Sequence, residues 1–429
     1  MLMAKVRIFI TKILNKNDLL FPALMWLASR MLIWAAMLVV APNLPTPADG
    51  ITPRYGWEIF DAWDSVHYRA IATSGYEYAD DGKQHNIAFF PMFPLLLRFV
   101  MAFGLRFEVA GTIVNNLAFF AALYCLYFWA KQHYGKHAAR WATAVLAWCP
   151  LSMFAGVIYT EGLYLLLSTA ALQAFDRQEY GKTAVWGAMA TATRPTGMAL
   201  IPALAIASFG QRRPLTAYVA SFATAMGLVV FSIYCTITFG DPLAFIHAQK
   251  GWRPTFGFDW QGWWNMLMQI AVGTTNWTSG TLKDPLHPLL LLIFVSGGYY
   301  LSRRKHLISL KVIYGFCALI LLWLLLADDW LIYNFLNALM FFSGSYFLWR
   351  SRLQLTPVTV TYGFCGLGLL LASGGTISLG RLSYGIVSLS LALGVLLSRH
   401  PRWGYLTMSL FVILLVRLAV GFAQQIWVG

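Results

Sequence analysis

Two aspartates stand three residues apart in Phe60-Asp61-Ala62-Trp63-Asp64-Ser65-Val66-His67-Tyr68, just after the first long apolar run of a chain with only 17 acids in 429 residues. Ionisable groups beside hydrocarbon are costly and mark functional sites when something polar meets them. A carboxylate held there can accept sugar hydroxyl hydrogens, or act as general base on a hydroxyl within hydrogen-bond reach. At 100° per residue, 57–72 reads as an amphipathic helix lying on the membrane surface, with Trp57, Asp61, Asp64 and Tyr68 on one side. Ile59, Trp63, Val66 and Ala70 fall on the other. A stripe of rings and carboxylates suits a sugar, because aromatic faces stack on the apolar faces of a pyranose. The competing reading is that the two acids only solvate an exposed helix face.

Cations supply the second half of the pattern. Arg194, in Ala192-Thr193-Arg194-Pro195-Thr196-Gly197, lies inside an apolar run, where a central arginine costs ~2.5–3.5 kcal/mol and demands a partner. Pro195 and Gly197 point to a broken helix whose freed backbone groups face a polar cavity. Arg381 opens a late helix, and Arg253 lies in the loop after Asp241. A guanidinium fork matches phosphate oxygens, so these three are candidates for an anionic leaving group. Glu161 either orients the site or pairs with Arg194, and snorkelling competes as the role of Arg381 and Arg253. His67 and His85, with Asp61 or Asp64, could hold a divalent metal; nothing else resembles a ligand set, so a metal is not favoured and no cofactor is assigned.

These residues need a scaffold, and composition names its class. Hydrophobic residues make up 59% of the chain and charged residues 11%, with apolar runs of spanning length from end to end. A spanning helix needs ~20 largely apolar residues, which 19–40 supplies as an uncleaved first span after Lys5, Arg7, Lys12 and Lys16. The formal charge of +14 is scattered in short clusters between runs, the pattern of cytoplasmic loops and not of a nucleic-acid face. Arg212 and Arg213, Arg303, Arg304 and Lys305, Arg350 and Arg352, and Arg399 and Arg402 orient the second half, with runs near 216–240, 286–302, 307–327, 330–349, 357–373, 383–398 and 404–423. The acidic segment 43–86, the loop 241–285 and the turn before Arg381 then share the outer face. Runs near 87–105, 109–130, 141–159, 161–176 and 184–209 complete the first half but leave Lys131, Lys136 and Arg140 outside, so one of them is expected to be short or re-entrant. The expectation is an all-α polytopic membrane protein of about 11 to 13 transmembrane helices, on the rule of ~20 apolar residues each. It divides into a core at 1–240 with its outer loop 41–86, an outer loop with interfacial segments at 241–285, and C-terminal helices at 286–429.

Five cysteines lie in apolar runs without paired spacing, which argues against a disulfide framework or a zinc site. Asn276-Trp277-Thr278 matches a glycosylation sequon. There is no phosphate-binding loop, no dinucleotide fingerprint and no soluble domain for a nucleotide, so a lipid-borne donor entering sideways from the bilayer fits better.

At these residues the chain resembles the PIG-V family of mannosyltransferases, within the GT-C class of membrane glycosyltransferases. The resemblance runs through Trp63-Asp64-Ser65-Val66-His67-Tyr68, Ala88-Phe89-Phe90-Pro91, Thr160-Glu161, Thr193-Arg194-Pro195-Thr196-Gly197 and Gly240-Asp241-Pro242-Leu243-Ala244-Phe245 with Gln249 and Trp252, and less closely through Gly380-Arg381-Leu382-Ser383-Tyr384. It implies a GT-C fold with an interfacial helix in the first outer loop and an inverting transfer from dolichyl- or polyprenyl-phosphate mannose. Asp64 would be the general base and Asp61 its helper or an acceptor ligand. Trp57, His67, Tyr68, Phe89, Phe90, Glu161, Arg194, Asp241, Trp252, Arg253, Arg381 and Tyr384 would surround the substrates. The partners implied are the lipid-phosphate sugar donor, a lipid or glycan acceptor and membrane lipids, with no nucleic acid. The membrane would be a bacterial inner membrane, or that of the endoplasmic reticulum if the source is eukaryotic, with the site facing periplasm or lumen. A lipid-sugar flippase and an oligosaccharide ligase or polymerase of related fold are the alternatives; bond formation separates the first and product length the second.

Overall fold

The computed structural model describes residues 16–253, 255, 257–303 and 309–429. Of the basic residues used above for orientation, Lys5, Arg7, Lys12, Arg304 and Lys305 lie outside the described residues. The chain is all-helical: α1 Lys16–Ala35, α2 Ser65–Thr73, α3 Met92–Met101, α4 Phe107–Trp148, α5 Glu161–Asp176, α6 Tyr180–Thr193, α7 Leu200–Gly210, α8 Leu215–Ala223 and α9 Met226–Phe239. It continues with α10 Ala244–His247, α11 Trp260–Val272, α12 Thr274–Ser279, α13 Leu286–Arg303, α14 Leu310–Leu326, α15 Asp329–Ser351, α16 Pro357–Leu371, α17 Leu379–Tyr384, α18 Val387–Arg399 and α19 Pro401–Ala423. Among the described residues no strand forms, and one isolated β-bridge joins Gly257 to Ser373. Among the described residues five helical stretches, Asp18–Asn43, Phe107–Trp148, Leu215–Phe239, Asp329–Ser351 and Pro401–Ala423, are long and apolar enough to cross a membrane by length and composition. The protein is an integral membrane protein.

The first half differs from its hydropathy reading in three places, each with a physical cause. The run 87–105 yields only the ten residues of α3, about 15 Å of helix against a bilayer core of ~30 Å. It packs against α2, α4 and α6 instead of crossing, and Arg98 Nε caps α2 by donating to Ala72 O (2.8 Å). The run 109–130 and the first part of 141–159 belong to one stretch, Phe107–Trp148, that reverses at Gly135, whose φ of 82° lies where a Cβ is disfavoured, while the remainder of 141–159 leaves the helix through a 3₁₀ turn at Pro150–Ala155. The run 184–209 is broken at Arg194, which has an extended backbone, into α6 and the short 3₁₀ turn Pro195–Ala199 leading to α7. That is the break Pro195 and Gly197 foretold.

These adjustments correct the placement of the first basic cluster. Lys131 and Lys136 hold Asp18 at 2.8 and 3.0 Å, and the Arg140 guanidinium lies over the Phe21 ring. All three stand beside the start of α1, at the end of the molecule remote from the acidic loop. Two buried ladders position that loop. Asn115 Nδ2 donates to Phe154 O and Val157 O (2.8 and 2.7 Å), and Asn116 Nδ2 to Gly156 O (3.0 Å). Arg30, fully buried in α1, donates to Ser152 O and Oγ (3.0 and 3.1 Å) and lies over Phe119. The irregular stretch 149–160 thereby finds partners for carbonyls that a helix would otherwise satisfy. Its Ile158 N–H donates to Phe60 O (3.2 Å), fastening it to the acidic segment.

Candidate active site

The segment 57–72 is not one continuous helix. A 3₁₀ turn, Trp57–Phe60, ends at Asp61; Trp63 takes φ 60°, uncommon for so large a side chain; only then does α2 begin, at Ser65. The break re-aims the faces. Ile59 is buried and Trp57 exposed against Phe60, the reverse of the periodicity reading, while Asp64 and Tyr68 turn inward and Val66 outward. Trp63 rests edge-on against Trp427 near the C-terminus (5.0 Å), so its strained backbone is held by a residue 364 positions away in sequence.

Asp64 lines a cavity of about 360 Å³ together with Tyr68, Phe89, Phe90, Arg194, Trp252, Arg253 and Arg381. Arg381 Nη1 donates to Asp64 Oδ2 at 2.6 Å, and the Asp64 N–H donates to Tyr159 Oη at 3.3 Å. The Arg381 guanidinium also lies 5.0 Å from the Tyr159 ring and 3.6 Å from Glu161. Glu161, wholly buried at the start of α5, accepts from Arg194 Nη1 at 2.9 Å. Its helix closes onto α4 because Gly162 has no Cβ: one built there would lie 2.3 Å from Asn115 O. Arg194 and Arg381 therefore reach the cavity from two unwound or short segments, the α6–α7 break and α17, each tied to an acid.

The aromatic side comes from two other segments. His67 stacks on Phe89 (4.5 Å, 15° between planes) and meets Trp252 edge-on (5.0 Å), forming the rim behind the rings that line the cavity. Burial pushes the His67 imidazole below its ordinary value, against the pull of Asp64. Arg253 donates to Ser373 Oγ at 3.0 Å, and the Gly374 N–H donates to Gly257 O at 2.8 Å, joining the loop after α10 to the segment before α17.

Besides His67 and Glu161, which stand directly behind its lining, Trp57, Asp61, His85, Asp241 and Tyr384 of the residues singled out in the sequence lie outside this cavity. Asp61 accepts from Ser65 Oγ (2.6 Å) and pairs with Arg69, which also bonds Glu108 (2.9 Å). Trp57 is at the surface. Asp241 anchors its loop through Tyr78, His247 and the Leu243 N–H (2.8, 2.7 and 2.9 Å), and these bonds lower its carboxyl below the ordinary value despite some desolvation. Tyr384 is buried, its hydroxyl donating to Leu146 O at 2.8 Å. His85 bonds Asp81 (2.7 Å), and among the described residues no group of three or more His, Cys, Asp or Glu converges as a metal site. Asn276 of the sequon is buried, with Nδ2 donating to Val272 O and Asp284 O (both 2.6 Å). Periodicity missed Tyr159, Ser373, Ser378 and Trp427 on or beside the cavity; the only signal for Tyr159 was its place next to Thr160-Glu161.

The chain is similar to GPI alpha-1,6-mannosyltransferase 2 of Homo sapiens, 24% identical over 258 residues that cover 52% of this chain and 51% of the relative. It is 30% identical to GPI mannosyltransferase 2 of Cryptococcus neoformans over 149 residues, covering 32% and 34%. The chain thus spans about half the length or less of the curated relatives it matches. Among solved structures, the Archaeoglobus fulgidus oligosaccharyltransferase aligns with a TM-score of 0.48 at 10% identity, over 95% of this chain and 56% of that one. ArnT from Cupriavidus metallidurans, bound to undecaprenyl phosphate, gives 0.48 at 12% identity, over 90% and 62%. The mannosyltransferase (PIG-V) family model matches residues 19–250, more than half of the sequence and nearly all of the segment that builds the cavity's acids, and the chain belongs to that family.

Proposed function

We propose that this protein is an inverting membrane glycosyltransferase of the GT-C class that moves one hexose, mannose first among the candidates, from a polyprenyl-phosphate donor to a lipid-linked or glycan acceptor. The observation that carries this reading is the pairing of Asp64 with Arg381 at 2.6 Å on the wall of a cavity that also exposes Phe89, Phe90 and Trp252. Acid, cation and ring surface are what sugar transfer from a phosphate needs in one place. Among the described residues Arg381 occupies only Oδ2 of Asp64, leaving Oδ1 for an acceptor hydroxyl.

The step is a single displacement. The acceptor oxygen attacks the anomeric carbon while its proton passes to Asp64, the bond from that carbon to the phosphate oxygen breaks, and the electron pair leaves with the lipid phosphate. A positioned base contributes ~10²–10⁴-fold, and fixed cations stabilise the charge that grows on the departing phosphate. Arg381 orients Asp64, and Glu161 in turn orients both Arg381 and Arg194. Family membership and the human relative's name, GPI alpha-1,6-mannosyltransferase 2, both support mannose as the sugar. The cavity end of the molecule would face the lumen or the periplasm.

The test is to incubate purified protein with radiolabelled polyprenyl-phosphate mannose, and in parallel glucose, together with a native lipid extract. One-sugar extension with inverted anomeric configuration is expected. Label crossing a proteoliposome bilayer without a new glycosidic bond would mean a flippase, and transfer of a whole oligosaccharide a ligase.

A further inference from the structure

Of the arginine and carboxylate side chains, five meet at or directly behind the cavity, and four of them are already matched. Arg381 pairs with Asp64 at 2.6 Å and Arg194 with Glu161 at 2.9 Å. Arg253 is the remaining cation, so three positive groups face two negative ones. Among the described residues its guanidinium bonds only a neutral partner, Ser373 Oγ, at 3.0 Å. Burial and the nearby charge of Arg381 both work against its ionised form. An anion in the cavity would relieve both.

Its position is fixed before any ligand arrives. The Arg253 N–H donates to Gln249 O (2.9 Å), the preceding Trp252 packs on His67 (5.0 Å), and the Gly374 to Gly257 bond (2.8 Å) fastens the following stretch to the segment leading into α17. Nη1 of this planar five-donor fork is tied to Ser373, and the side chain lines the cavity. Resting on the glycosyl-transfer reading, we infer that Arg253 takes the donor's phosphate, while Arg194 and Arg381 stay with their acids. A single unmatched cation also suits a single negative charge. The site should therefore favour a sugar joined through one phosphodiester over one joined through a diphosphate.

The test measures binding of polyprenyl-phosphate mannose and polyprenyl-diphosphate mannose in detergent micelles by quenching of tryptophan fluorescence, with steady-state KM and kcat in parallel. Arg253→Gln should weaken binding of the monophosphate donor at least ~10-fold, the scale of a lost charge-assisted bond, and raise KM more than it lowers kcat. Arg253→Lys should recover part of the loss. Ser373→Ala keeps the guanidinium but cuts its tether, and should change binding less than Arg253→Gln; an equal loss would make Arg253 a structural strut and overturn the inference. So would Arg253→Gln binding within about twofold of wild type while Arg381→Lys loses the donor, or diphosphate donor bound as tightly as monophosphate. Wild-type protein that binds the donor through Arg253 yet forms no product would sink the transferase reading and leave this one standing; full transfer with KM unmoved in Arg253→Gln would do the opposite.

Discussion

Replacing Glu161 by Gln tests the buried electrostatics on which the cavity stands. Glu161 is wholly buried, with Arg194 at 2.9 Å and Arg381 at 3.6 Å, and both arginines are themselves more than nine-tenths buried. The amide keeps the shape and one acceptor oxygen but removes the negative charge, leaving Arg194 with no carboxylate and Arg381 with Asp64 alone. Breaking a buried pair from one side costs ~3–5 kcal/mol, and the retained hydrogen bond puts Glu161→Gln at the lower end, about 3 kcal/mol. Removing both charges, as in Glu161→Gln with Arg194→Met, should cost less than the sum of the single changes, with a coupling of about 2 kcal/mol. Reversible unfolding in mixed micelles, followed by tryptophan fluorescence, measures all four corners of the cycle. A single variant within about 0.5 kcal/mol of wild type, or a strictly additive double, would refute the claim that these charges are desolvated and mutually dependent.

Three further outcomes follow from the supports of the site. Asn115→Leu orphans Phe154 O, Val157 O and the Gly162 N–H together, so unfolding should become easier by at least ~2 kcal/mol in the same micelles, with transfer falling too. Gly162→Ala drives a methyl group to 2.3 Å from Asn115 O and should cost ~1–3 kcal/mol by overpacking, whereas Gly75→Ala, which meets no atom within 4 Å, reports only the backbone effect of its φ of 95°. Burial depresses the His67 pKa in the folded state, so the unfolded chain binds that proton more readily and stability rises with pH. Its contribution is complete above the ordinary value of 6.5 and is lost as pH falls below it; His67→Phe should flatten the stability profile in that window alone, and an unchanged slope would contradict the burial argument.

Much of the site was legible because intramembrane charge is rare and therefore informative. Arg194 in an apolar run announced both its partner and the broken helix, since hydrocarbon tolerates neither a lone guanidinium nor unpaired backbone. Arg30 carried the same signal inside the first run and was passed over, although it is fully buried and pins the segment that presents Tyr159 and Glu161. What periodicity could not carry is non-local. The turn at Trp63 is set by packing on Trp427, so a 100° wheel drawn through 57–72 assigns the wrong faces before the break and the right ones after it. Hydropathy likewise sees 87–105 as spanning length, because the apolar residues of α3 cover neighbouring helices as readily as they would lipid. The conflict over Lys131 and Lys136 did point to a short run in the first half, which α3 supplies, but their acid, Asp18, lies more than a hundred residues earlier and no local pattern names it.

The most direct measurement is transfer by a folded Asp64→Asn protein, set beside Asp61→Asn. With Arg381 bonded to Asp64 and Asp61 held outside the cavity by Ser65 and Arg69, the asparagine at 64 should lose ~10²-fold or more in kcat while donor binding persists, and the change at 61 should act mainly through stability. Undiminished turnover by Asp64→Asn, with native unfolding behaviour, would remove Asp64 from the chemistry.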